Sequence, residues 1–195
     1  MPPPGLQDLL AVTRAAPEIP PEGQVPSAVL IALITMDDGQ TGVILTERSG
    51  HLRHHAGQIS FPGGRIDNGE TPVETALREA EEEIALARDQ VTVLGHLPGV
   101  LTTAGFHIAP VLGRVDGNFT PVAAPAEVAR VLIEPIVPLL DRRHHQSVMR
   151  EAGGRRYQSW DIAHERENIW GATARILVQW GQLISPELQQ QEAGQ

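Results

Sequence analysis

Three glutamates, Glu79, Glu82 and Glu83, fall within about one helical turn of one another, behind a loop that reads Gly63-Gly64-Arg65-Ile66-Asp67-Asn68-Gly69-Glu70. Carboxylates this crowded repel one another, by about a few tenths of a kcal/mol per exposed pair and by more when partly buried. A positive partner among them removes that cost. With oxygen as the only donor type, the pattern selects a hard cation, and Mg²⁺ is the ion that keeps several waters and bridges to substrate phosphates. The glycines ahead of the helix let the backbone approach the same ion or a phosphate. A run of Glu is by itself most often a solvated helix face; the spacing of the whole stretch is what directs the chemistry.

The element that must carry these groups is a helix over 71–86. Thr71 offers an N-cap oxygen, Pro72 occupies the first helical position, where a missing N–H is harmless, and Glu74 completes a Thr-x-x-Glu capping box. At about 100° per residue, Val73, Ala76, Leu77, Ala80 and Ile84 fall on one arc and Glu79, Glu82 and Glu83 on another, which predicts an apolar face and an acidic face.

Just upstream, Glu47 to Ala56 is polar and holds Arg48, His51, Arg53, His54 and His55. A basic cluster in an acidic protein is either an ordinary exposed loop or an anion cradle, since guanidinium groups bind phosphate in bidentate fashion. Its placement favours the cradle. It runs through Gln58-Ile59-Ser60-Phe61, predicted as a strand, straight into the glycine loop, so cations and carboxylates lie within reach of one ligand.

Composition narrows the remaining options. The 195 residues suffice for one domain with a full core, and 41% hydrophobic content is that of an ordinary globular protein. There is no cysteine, which removes disulfides, thiolate metal sites and Cys nucleophiles, and all fifteen basic residues are Arg, which removes a Walker-type phosphate loop, Schiff-base chemistry and pyridoxal phosphate. A formal charge of −9 argues against nucleic-acid or anionic-membrane partners. No stretch has the length of a membrane span and the start, Met1-Pro2-Pro3-Pro4, lacks a signal peptide's basic and apolar regions, so a cytoplasmic location is expected. The partner expected is a small anionic molecule; the sequence does not choose between monomer and homodimer.

Along the chain, residues 1–26 carry seven of the sixteen prolines and read as an arm with one or two helical turns at Leu6 to Val12. Ala28 to Thr35 and Gly42 to Thr46 flank Asp37-Asp38-Gly39-Gln40 and predict a β-hairpin. Strands are predicted over Gln90 to Leu97, over Phe106 to Val115, where Pro110 suggests a bend or an edge, over Glu127 to Ile133, and around Arg155 to Trp160 after Gly153-Gly154. Pro138 to Asp141 suggests a helical turn. His144-His145 and His164-Glu165 lack the geometry of a second metal site, because adjacent side chains diverge. Tyr157 and Trp160 read as core residues before base-stacking ones. Ile169 to Ile184 has helical periodicity, with Ser185-Pro186 as its expected end. The domain plan is an arm over 1–26, one domain over 27–186 and a tail over 187–195. Spacing alone gives an α/β or α+β class.

Gly64, Glu70, Arg78-Glu79, Glu82-Glu83 and Leu86, at these separations, closely resemble the signature of the Nudix hydrolases. Ala80 and Ala85 depart from it, standing where a larger aliphatic residue and a glycine are usual; neither touches a carboxylate. Ile44 to Ser49, Leu52-Arg53, His55 and Gly57 to Gly64 further resemble the extra motif of the coenzyme A pyrophosphatase branch, with Ile44 in place of a leucine. The resemblance covers about residues 44–86, two abutting motifs in the expected order, and is weaker at Ile169 to Arg175. It implies an α/β/α sandwich with a mixed sheet. It also implies Mg²⁺ or Mn²⁺ held by Glu79 and Glu83, with Glu82 joining them or orienting water and the Gly64 carbonyl adding a ligand, and Arg78 fixing the glutamates by ion pairing. The implied substrate is coenzyme A or an acyl-CoA, gripped at its phosphates by Arg48, Arg53, His55 and Gln58. The general base stays open between Glu82 and an acidic residue outside the helix. ADP-ribose, NADH and nucleotide sugars are the neighbouring substrate class. A nucleotide-sensing module without catalysis would be expected to have lost a metal carboxylate, and none of the three is missing.

Overall fold

The computed structural model describes residues 9–14, 16–50, 57–163 and 169–192. Strand β1 (Val25–Thr35) turns at Asp38-Gly39 into β2 (Thr41–Arg48), the turn closed by Met36 N–H donating to Gln40 O at 2.9 Å and Gln40 N–H to Asp38 Oδ1 at 2.9 Å. Two short strands follow, β3 (Ile59–Ser60) on β2 and β4 (Gly63–Arg65) on β1, in the register Ala28 opposite Gly64. Helix α1 (Pro72–Ile84) comes next, then β5 (Val91–His96), β6 (Val100–Leu101), β7 (Phe106–Val115), β8 (Val128–Pro135) and the short helix α2 (Ile136–Leu140). The chain continues with β9 (His145–Ala152), β10 (Arg155–Ile162), β11 (Ile169–Trp170) and α3 (Gly171–Glu192).

The main sheet has the order β3-β2-β1-β7-β5, with β4 on β1, β6 on β7 and β8 on β2; β1 and β7 are parallel and the other pairs antiparallel, so the sheet is mixed. Alternation along the hairpin strands decides what each face covers. Ala28, Leu30, Ala32, Ile34 and Ile44 pack with Ala76, Ala80 and Ile84 of α1. Ile31, Leu33, Val43 and Leu45 point the other way and meet Ile176, Leu177, Trp180 and Ile184 of α3. The result is the expected α/β/α sandwich. Gly181 lets α3 come against α2, because a Cβ there would overlap the Leu140 carbonyl.

Four expectations change. Pro110 lies inside β7, between β1 and the opposite side, rather than at an edge. It is tolerated because the partner on that side changes there, from His96 of β5 opposite Val111 to Val100 of β6 opposite Ile108, and the Pro110 carbonyl accepts from Leu97 N–H at 3.1 Å. Ile169-Trp170 pairs with β10 before the helix begins, so β9, β10 and β11 form a separate three-stranded sheet. Helix α3 runs through Ser185-Pro186 to Glu192; proline's fixed φ is compatible with a helix, although it removes one backbone donor and sets its ring against the carbonyl one turn earlier. The N-terminal arm is also partly built into the body. Leu9 is fully buried and its carbonyl accepts from Trp180 Nε1 at 3.3 Å, while Arg14 and His96 exchange backbone hydrogen bonds of 2.8 and 2.9 Å.

At the C-terminus of α1, Ala85 adopts φ 57°, ψ 29°, the left-handed conformation that glycine takes without steric cost, and its N–H caps Ala80 and Glu81 carbonyls. Ala85 is exposed, so a change there affects the backbone alone. Ala85→Gly is expected to raise stability by about 0.5–1 kcal/mol, the relieved strain outweighing the added freedom of the unfolded chain; the denaturant midpoint at unchanged m-value measures it.

Candidate active site

The capping box forms as expected. Thr71 Oγ1 accepts from Glu74 N–H at 3.3 Å and Glu74 Oε2 accepts from Thr71 N–H at 2.7 Å. This fixes where α1 starts relative to the loop before it, and Arg78 then ties the two together. Its Nε donates to Glu70 Oε1 at 2.9 Å and its Nη2 to Glu70 Oε2 at 3.1 Å, a bidentate pair; Nη1 reaches Glu79 at 2.9 Å and Glu82 at 3.1 Å, and Nη2 also reaches the Arg65 carbonyl at 3.3 Å. The Arg78 hydrogen bonds, with that of Thr75 Oγ1 at 2.7 Å, hold the Glu70 carboxyl at about 2, well below its usual range.

The three helix glutamates occupy different environments. Glu82 is 59% exposed, Glu79 15% and Glu83 4% in their side chains. The expected acidic face is therefore corrected: Glu83 is a core-side residue. The helical wheel explains it, because Glu83 lies only about 20° from Ala76, at the seam between the two arcs. Burial pushes Glu83 up to about 8, with Arg48 opposing and Glu79 and Glu127 adding to the rise. Burial also raises Glu79, against the pull of Arg78.

Arg48 Nη1 stands 3.9 Å from Glu83 Oε1, while Glu83 Oε2 is buried without a hydrogen-bond partner among the described residues. An orphaned carboxylate oxygen in the interior calls for a positive partner. Gly64 lets the Glu79 carboxylate come close against the loop backbone, since a Cβ there would overlap Glu79 Oε1. Among the described residues no three His, Asp or Glu side chains yet gather on one point; Arg78 draws Glu79 and Glu82 to itself. The donor set of Glu79, Glu83 and the adjoining glycine backbone, all oxygen, fits a hard divalent cation.

In front of Gly63-Gly64 opens a cleft of about 730 Å³ between β1, β4 and β7 on one side and β10, β11 and the start of α3 on the other. Arg48 and Gln58 both line it, with Gln58 Nε2 donating to the Trp170 carbonyl at 3.3 Å on the β11 side. Glu79 and Glu83 stand behind the Gly63-Gly64 wall rather than in the lining. Arg53 and His55 lie outside the described residues, as do His164 and Glu165. His145 Nε2 hydrogen-bonds the Leu139 carbonyl at 2.8 Å.

One acidic residue escaped the sequence reading. Glu127 precedes β8, its carbonyl accepts from Ser49 N–H at 2.8 Å, and the β2–β8 register shifts between Glu47 and Arg48. Its charge raises both Glu79 and Glu83. No local signal could have marked it, because strand pairing brings it there.

A family model described as the NUDIX domain matches residues 25–152. The chain belongs to the Nudix family. It is 39% identical over 163 residues to the Nudix hydrolase NudL of Yersinia pestis (strain Pestoides F), named as uncharacterized, with 82% of this chain and 79% of that one covered; NudL of Yersinia pseudotuberculosis (serotype O:1b, strain IP 31758) matches equally. Among solved structures it resembles the Nudix hydrolase RenU of M. smegmatis (TM-score 0.51, 25% identity, 58% and 72% covered). It also resembles a C. elegans Ap4A hydrolase binary complex (TM-score 0.50, 20% identity, 56% and 80% covered), a likeness of fold alone. The chain thus has the fold and the family of the Nudix hydrolases.

The Arg78–Glu70 pair has a defined acid limit. Glu70 is depressed in the folded state, from 4.5 to about 2, so its contribution is complete above about pH 4.5 and disappears as pH falls through about 2. Arg78→Ala is expected to lower the melting temperature by several degrees at pH 7, and the gap to the parent protein should shrink as pH drops from 4.5 towards 2; parallel thermal melts test this.

Proposed function

We propose that this Nudix hydrolase cleaves the diphosphate of coenzyme A or an acyl-CoA, releasing 3′,5′-ADP and 4′-phosphopantetheine or its acyl form. The observation that carries the reading is the junction at Gly63-Gly64, where the buried Glu83 with its orphaned oxygen stands beside a cleft that Arg48 and Gln58 line. Both belong to the motif resembling the coenzyme A branch.

Glu79 and Glu83, with Glu82 and the Gly64 carbonyl, are the residues that would hold Mg²⁺ or Mn²⁺; a bound ion neutralises diphosphate oxygens and makes water a stronger nucleophile. Arg78 keeps Glu79 and Glu82 in place and does not touch the substrate. Arg48 and Gln58 bind the diphosphate, as do Arg53 and His55 in this reading. For the proton of the attacking water, Glu127 is the better acceptor of the two open choices, since Glu82 is engaged by Arg78 at 3.1 Å. No membrane or nucleic-acid partner enters this scheme. Among the described residues no helix is long and apolar enough to cross a membrane.

Incubation of the protein with coenzyme A and Mg²⁺ should yield both products by mass, with Glu83→Gln losing at least about 100-fold in kcat while its fold persists; cleavage of ADP-ribose or NADH but not coenzyme A would redirect the assignment. Gly64→Ala should cost a comparable factor by displacing the Glu79 carboxylate, with stability changed by under about 1 kcal/mol because only a side-chain end must move. If Arg side chains grip the 3′-phosphate, dephospho-coenzyme A should have the lower kcat/KM, and equal values would remove that role.

A further inference from the structure

The cleft changes character away from the glycine wall. Its charged lining among the described residues is Arg48, Arg65 and Arg175, with no Asp or Glu, in a chain of net charge −9. Arg48 and Arg65 flank Gly63-Gly64, and Arg175 on the far side is engaged with the Leu101 carbonyl at 3.0 Å. Between them the wall is neutral and amide-rich. Gln179 and Gln182 project from α3 with Ile176 on the same stripe, and Gln158 comes from β10. These wall residues follow residue 152, beyond the span that matches the NUDIX model, so they are a feature of this chain's C-terminal part.

Two residues of this lining carry a buried polar atom with no hydrogen-bond partner among the described residues. Ser27 is 7% exposed and its Oγ is unpaired; Gln179 Oε1 is likewise buried and unpaired. A hydroxyl can donate or accept, whereas an amide oxygen only accepts. Together they suit a ligand offering both carbonyl and N–H groups. Two rings of the lining already carry a guanidinium on one face, Arg65 over Phe106 and Arg150 over Trp170, each 5.2 Å from the ring centroid. The hydrophobic patches of Val100, Ile108 and Ile176 suit methylene and methyl groups between the amides.

We propose that the wall formed by β10 and α3 is the binding site for the neutral, amide-bearing arm of the substrate, read by Ser27 and Gln179. This rests on the coenzyme A reading, in which that arm is pantetheine, and it assigns specificity to residues outside the diphosphate-binding motif. The arm leaves the diphosphate at Arg48 and Arg65 and runs along the Ile176–Gln179–Gln182 stripe. Ser27 and Gln179 are thereby specificity residues, with no part in bond cleavage.

Calorimetry with 4′-phosphopantetheine and, separately, inorganic phosphate isolates the arm from the anion. The parent protein should bind 4′-phosphopantetheine at least about tenfold more tightly than phosphate, and Gln179→Leu and Ser27→Ala should each remove about three- to tenfold of that preference while leaving phosphate affinity and the melting temperature unchanged. In turnover, the same variants should raise KM for coenzyme A with kcat held. Equal affinity for the two ligands, or variants that bind 4′-phosphopantetheine as the parent does, would overturn the assignment even if coenzyme A is hydrolysed. A protein that fails to cleave coenzyme A yet keeps the variant-sensitive preference retains the arm site and loses the reaction.

Discussion

A single guanidinium, that of Arg78, joins the glycine loop to the acidic helix, and the positions of the surrounding groups follow from it. It donates hydrogen bonds to three carboxylates and one carbonyl: Glu70 and the Arg65 oxygen from the loop, Glu79 and Glu82 from the helix. A lysine, with one compact ammonium, could not present this planar fork to partners on two elements at once. The capping box at Thr71 sets where the helix begins, and Arg78, two turns later, sets how the loop lies on it. Gly64 is consequently pressed against Glu79, where no larger residue fits.

The other constraint is burial. Glu83 lies at the core edge of α1, and its second oxygen has no partner among the described residues. A carboxyl placed there is unfavourable as an anion unless a positive group joins it, and Arg48 at 3.9 Å answers only one of its oxygens. The packing of Ala28, Ala76 and Ala80 that holds the helix on the sheet is thus also what withdraws Glu83 from solvent. Core and site are one arrangement here, with small residues under the helix drawing its carboxylates close to the strand that carries the glycines.

What the sequence made legible was what local patterns encode. Thr71, Pro72 and Glu74 announced the helix start, the Asp38-Gly39 turn announced the hairpin, and the spacing of Glu79, Glu82 and Glu83 announced the Nudix family. Ala85 stood where a glycine is usual, and its positive φ shows what that glycine would have eased. What depended on three-dimensional pairing stayed hidden. Glu127 enters through the irregular β2–β8 register, Ser27 through the strand that faces α3, and Pro110 escapes the edge because its neighbour changes from β5 to β6. Glu83 was assigned to the acidic arc because a wheel about 20° from the boundary cannot say which side wins. The separate sheet of β9 to β11 hid behind Ile169-Trp170, whose apolar character suits a strand as well as a helix.

The hydrogen bond from Trp180 to the Leu9 carbonyl spans 171 positions in the sequence. During synthesis, Ile31, Leu33, Val43 and Leu45 emerge long before Ile176, Leu177 and Trp180 that cover them. Until α3 has left the ribosome, one face of the nascent sheet stays bare, a surface on which chaperones act and on which unfinished chains stick together. Closing that face is therefore a late, cooperative event in the life of the polypeptide, and the wall of the cleft is completed in the same step.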